Sequence, residues 1–143
     1  MGEITLHTTN YFDTFIEIAS DSPITNGETP PQKGDKKTAA NIQFELISKN
    51  PYQFTSDEVL FQVFAAKNDL TSSEFSTAKN QFFSKGQPCL RASPLTKRYG
   101  WGVHYNKEGK IAIFGAETEA YEKFATDKNL KNLKKQNTLS TSV

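Results

Sequence analysis

Hydrophobic and polar positions along the chain mark out a strand, a long loop, three helices in succession, three further strand candidates and a final helix. Tyr11 to Ala19, YFDTFIEIA, is rich in β-branched and aromatic residues and is bounded by SDSP, which predicts a strand. Ser22 to Lys37 holds three Pro and two Gly with few large apolar residues, and predicts a long surface loop that either wraps the domain or acts as a lid. From Lys37 to Lys49, Ala40, Phe44 and Ile47 share one helical face, with Leu46 beside them, and Asn50-Pro51 supplies a stop. Thr55 stands three residues before Glu58, the spacing of a capping box, so Val59 to Lys67 is expected to be helical. The competing reading is a buried strand in VLFQVF. Phe75, Ala78 and Phe82 predict another helix over Ser73 to Ser84, ended by Lys85-Gly86.

Strands are expected near Pro88 to Ala92, Tyr99 to Tyr105 and Lys110 to Phe114, with Ser93-Pro94 breaking the first and placing Lys97 and Arg98 in a loop. Asn106-Lys107-Glu108-Gly109 joins the last two as a hairpin. Alternation separates Tyr99, Trp101, Val103 and Tyr105 from Gly100, Gly102 and His104, so one face is bulky and the other nearly bare. With an even-numbered turn, Ala112 and Phe114 would join the Trp101 face, and Ile111 and Ile113 the His104 face. A final helix is expected over Thr118 to Lys134, with Asp127 to Asn129 as the place of any interruption. These elements predict an α+β fold in which a small antiparallel sheet, including the hairpin of the C-terminal half, packs against three to four helices. One domain over residues 1–136 with a flexible tail over 137–143 is the expected organisation.

Composition narrows the class. The chain has 143 residues, enough for one core, and eleven Phe, five Tyr and one Trp supply large buried areas from few positions. Its apolar runs are far shorter than the roughly 20 residues of a membrane span, and Met1 is followed by no basic and apolar leader, so a cytoplasmic protein without a membrane partner is expected. Cys89 is the only cysteine, which rules out an internal disulfide or a cysteine-based zinc cluster. His7 and His104 have no carboxylates at ligand spacing, so neither a metal nor a cofactor is expected.

Charge is uneven although the net value is +1. No Lys or Arg precedes Lys33, whereas between Lys85 and Lys110 six basic residues face the single acid Glu108. Two functions compete for this window. In the first, a non-enzymatic module binds an anionic small molecule, a peptide or, less favoured in a nearly neutral chain, nucleic acid. Gly100 and Gly102 would form the floor of a slot beside Trp101, with Arg98 and His104 at its ends and Arg91 or Lys97 reaching the anion by charge-assisted hydrogen bonds. In the second, Cys89 is a nucleophile with His104 as its base and backbone N–H groups near Gly100 or Gly102 as oxyanion donors. Against both stands a plain structural reading, with the glycines under a packed element and Cys89 a small core residue. No dinucleotide or phosphate-loop spacing occurs in the chain.

At LHTTNYF, TFIEIA, PPQKGDKK and FFSKGQPCLRASPLTKRYGWGVH, the chain resembles a family of small microbial proteins catalogued as a domain of unknown function, over about Thr5 to Leu130. The resemblance implies kinship and carries no activity, cofactor or catalytic residue with it. Arg91, Pro94, Lys97, Gly100, Trp101 and Val103, followed by Gly109 and Phe114, are also similar to a short pattern in MepB-like proteins, where an aromatic other than Trp is usual at the position of Trp101. That similarity supports a strand, then a basic loop, then a hairpin.

Overall fold

The computed structural model describes residues 6–133. The expected tail over 137–143 lies outside the described residues. In chain order the elements are β1 (Thr14–Ile16), α1 (Ala39–Lys49), α2 (Ser56–Lys67), α3 (Phe75–Phe83), α4 (Pro94–Lys97), β2 (Trp101–Tyr105), β3 (Ile111–Gly115), α5 (Glu119–Ala125) and β4 (Lys131–Leu133). The strands form one sheet in the order β3-β2-β1-β4. The architecture is α+β, and the sheet is mixed rather than wholly antiparallel. β1 pairs antiparallel with β2 and parallel with β4, an arrangement that lets the chain's last described segment close the edge opposite the hairpin.

Local chemistry explains the helices. Thr38 and Thr55 each accept the backbone N–H three residues on, while the Asn41 and Glu58 side chains accept the N–H of the capping threonine. Each box satisfies two amides that the first turn leaves unpaired. The capping box at Thr55 thus favours helix over the competing strand. Asp57 does not act as an isolated acid: it accepts from the Thr8 and Thr9 hydroxyls and from the Thr9 N–H, tying the N-terminal segment to the start of α2.

Alternation along the strands sends two sets of side chains to opposite faces of the sheet. Ile16, Val103, Tyr105 and Ile111 face the main core with Ile47 of α1, Val59 of α2, and Leu90 and Leu95 from the segment before β2. Phe15 and His104 face the other way and are covered by Tyr121 and Phe124 of α5. A second apolar cluster joins α2 to α3 through Phe61, Ala65 and Phe83.

Four expectations are corrected. Pro88 to Ala92 is not a strand: Leu90–Ala92 is one 3-10 turn, and Ser93 caps α4 with Pro94 at its first position, so Lys97 ends a short helix. Serine followed by proline serves here as a helix start, because proline's fixed φ and missing N–H suit the first helical residue. The hairpin register pairs Trp101 with Gly115 and Tyr105 with Ile111, leaving five residues, Asn106 to Lys110, in the turn. Ile111 and Ile113 therefore share the Trp101 face, and Ala112 and Phe114 the His104 face. Finally, the last helix stops at Ala125, and Leu133 pairs in β4. Among the described residues no helix is long and apolar enough to cross a membrane.

Candidate functional site

The bare hairpin face is not open. A Cβ on Gly102 would lie 2.6 Å from Phe15 Cζ and 2.7 Å from Tyr121 Cε2, so core rings occupy the space its missing side chain leaves. Gly100 has φ +80°, a backbone state that favours glycine, and a Cβ there would meet the Asn26 carbonyl at 2.5 Å. Trp101 is equally engaged: its Nε1–H donates to the Glu28 carbonyl at 2.8 Å and its ring packs on Phe44. The long loop is a strap in this conformation, held at Trp101, at Tyr99 by the Glu28 N–H, at Glu117 by the Gly27 N–H, and at Pro30 by the Asn41 amide. The expected slot over Gly100 and Gly102 is thus filled by the protein's own groups.

His104 is half-buried, stacked on Phe124 at 4.1 Å, with Nδ1 2.8 Å from the Tyr52 hydroxyl. Burial lowers its pKa, against a smaller rise from the Asp13 and Asp127 carboxylates. Tyr52 reaches it from a positive φ of 60°, unusual for an aromatic residue.

Cys89 sits on the other side of the sheet. Its sulfur is 3.6 Å from the Tyr11 hydroxyl, and the Tyr11 ring meets Tyr105 edge-on at 5.4 Å. Because Tyr105 and His104 are neighbours in β2 with opposite orientations, the sheet separates thiol from imidazole. The pairing of Cys89 with His104 as nucleophile and base is therefore corrected. Burial and the Cys89 contact raise the Tyr11 pKa, and the Arg91 guanidinium opposes that rise. The buried Tyr105 hydroxyl has no hydrogen-bond partner among the described residues, and burial pushes its pKa well up.

The basic residues divide. Lys97 and Arg98 line one hollow of about 420 Å³ together with Asp21, whose carboxylate offsets part of their charge. Arg91 is placed beside Tyr11. The structure therefore brings Lys97 and Arg98 together and seats Gly100, Trp101, Gly102 and His104 in packing roles.

A better-formed concavity lies where Cys89 faces outward. This cleft of about 550 Å³ is bounded by α1, α2, α3 and the segment from Gln87 to Pro94. One wall is a stripe of α2 at helical spacing, Leu60, Val63, Phe64 and Lys67, which extends roughly 10 Å along the helix axis. Phe82 closes it from α3, its ring 4.9 Å from that of Phe64. Against these apolar walls stand Cys89 and a buried pair, Ser93 and Gln43, whose side chains are joined by a 2.6 Å hydrogen bond. Pro94 lines both this cleft and the Lys97–Arg98 hollow, so the two share a wall.

Sequence reasoning located Cys89 and missed the rest of the cleft. Its signals were present: Gln43 lies on the same helical face as Ala40 and Ile47, a polar residue among apolar ones, and α2 carries its stripe in plain spacing. What the spacing could not give was that three helices and a turn leave a gap between them.

Residues 6–140 match the sequence profile of a family described as Family of unknown function (DUF6157). Comparison with curated proteins and with solved structures gives no match. The expected kinship is thus shown, and the weaker likeness to MepB-like proteins is not.

Proposed function

Since the chain belongs to a family of unknown function, we propose its role from geometry: it is a non-enzymatic module that binds a small, mainly apolar molecule in the cleft between α2, α3 and the Gln87–Pro94 segment. The observation that carries this is a cleft of about 550 Å³, within the range of small-molecule sites, with predominantly apolar walls and a few polar groups gathered in them. Apolar surface on the guest would be removed from water there, and Cys89 would serve as a soft, polarisable part of the wall.

The test uses the neutral fluorophore N-phenyl-1-naphthylamine, which brightens in apolar surroundings. Saturable binding by the native chain is expected, with loss in Ala92→Trp, which plugs the cleft from an exposed lining residue without disturbing the core. No binding, or equal binding by both proteins, refutes the reading. A second reading places an anion at Lys97 and Arg98, favoured by their common hollow and weakened by Asp21 within it. Arg98→Ala would abolish binding of inorganic phosphate if that reading holds and leave the fluorophore unaffected.

A further inference from the structure

Gln43 is 6% exposed and sits where α1 meets the cleft. Its amide orientation follows from its partner. The Ser93 hydroxyl oxygen caps α4 by accepting the Leu95 N–H at 3.1 Å, and the hydroxyl proton is directed at Gln43 Oε1, 2.6 Å away. An amide turned the other way would deprive the Ser93 hydroxyl proton of this acceptor. The carbonyl oxygen of Gln43 is thereby engaged, and its Nε2 is left with no hydrogen-bond partner among the described residues. That nitrogen is not among the sealed, unpartnered atoms of the core, so its remaining exposure is to the cleft that Gln43 lines. Water can meet this donor while the cleft is empty, and a guest that expels the water must supply an acceptor in its place or leave the donor unpaired.

A cation accompanies the donor. Lys67 ends the α2 stripe, lines the same cleft and makes no ion pair with any described residue. Among the described residues no Asp or Glu lines the cleft. We infer that the guest is a small monocarboxylic acid with an apolar body, its carboxylate accepting from Gln43 Nε2 and attracted by Lys67 while its chain lies along Leu60, Val63 and Phe64. This inference rests on the cleft being a binding site and adds the chemical class of what binds. Selectivity arises because an apolar molecule without an acceptor leaves the amide unpaired, whereas the acid satisfies it.

Calorimetry with decanoate, methyl decanoate and 1-decanol as probes tests the assignment. Decanoate is expected to bind most tightly. Gln43→Glu keeps the acceptor for the Ser93 hydroxyl and replaces the donor with a negative charge, so it weakens decanoate binding by roughly tenfold or more. Lys67→Met, an exposed change that leaves the fold alone, weakens decanoate about two- to fivefold and leaves the ester unchanged. Salt lowers decanoate affinity with native protein and has less effect in Lys67→Met. If decanoate binds no better than decanol, or if both variants bind it as the native chain does, the inference is overturned while the cleft stands as an apolar site. If none of the three probes binds, the cleft reading falls with it.

Discussion

Gly102→Ala tests whether the glycine face of the hairpin is packed interior. The added methyl would start 2.6 Å from Phe15 Cζ and 2.7 Å from Tyr121 Cε2, and ordinary contact begins at 3.4 Å, so the nearer ring must retreat by about 0.8 Å. Neither ring has an easy path. Phe15 is fully buried, with Tyr121 edge-on at 5.1 Å and Phe124 at 5.4 Å, while the Tyr121 hydroxyl is anchored by the Ile18 N–H at 2.9 Å. Overpacking of this kind costs about 1–3 kcal/mol. For a chain of this length that corresponds to a fall in melting temperature of roughly 3–10 °C. Urea unfolding followed by circular dichroism gives the free energy, and a cycle with Phe15→Leu assigns its cause. If the clash is real, shortening Phe15 relieves it, and the double variant is more stable than the sum of single costs allows by about 1 kcal/mol. A loss under about 0.5 kcal/mol for Gly102→Ala, or additive costs in the cycle, would refute the packing argument and reopen that face to a guest.

Two more perturbations probe other parts of the fold. Thr55→Ala removes the side-chain half of the α2 capping box and is expected to cost about 1 kcal/mol in urea unfolding, with an effect within error counting against the box as a stabilising feature. His104 has a folded-state pKa below its ordinary 6.5, so as pH falls from about 6.5 the unfolded chain takes up the proton first and stability declines until the folded value is passed. The stability profile of His104→Gln is therefore expected to be flatter over that window. An identical slope would show that burial does not hold this imidazole neutral.

Much of the architecture was legible where the determining interactions are local. The Thr55 and Glu58 spacing specified the start of α2, and the apolar face of Ala40, Phe44 and Ile47 specified α1. Elements fixed by distant partners were not legible. Lys131–Leu133 carries Leu133 at helical spacing from Leu130, yet becomes a strand because β1 offers it an edge. The hairpin was visible but its parity was not, since Asn106 donates its N–H to the Lys110 carbonyl and accepts from Gly109, spending one residue more than the four-residue turn suggested. That single residue exchanges the two faces of β3. The chemical window from Ser84 to Gly115 was only partly informative for the same reason. Its residues are neighbours in sequence, but β2 sends His104 away from Cys89, and a short helix carries Lys97 and Arg98 round Pro94 from the cleft.

The three-residue strand β1 occupies the middle of the sheet although it belongs to the start of the chain, and both neighbours that hold it, β2 and β4, come from the far end. During synthesis the helices α1 to α3 can leave the ribosome and pack with one another while Phe15 and Ile16 wait without a strand to pair with. Only when Trp101–Tyr105 emerges can the first segment be captured, and only with Lys131–Leu133 is its second edge covered. Assembly of the sheet is therefore gated by Trp101–Tyr105 and Lys131–Leu133, and a nascent chain halted after α5 would present the second edge of that early strand to whatever chaperone or neighbouring chain reaches it first.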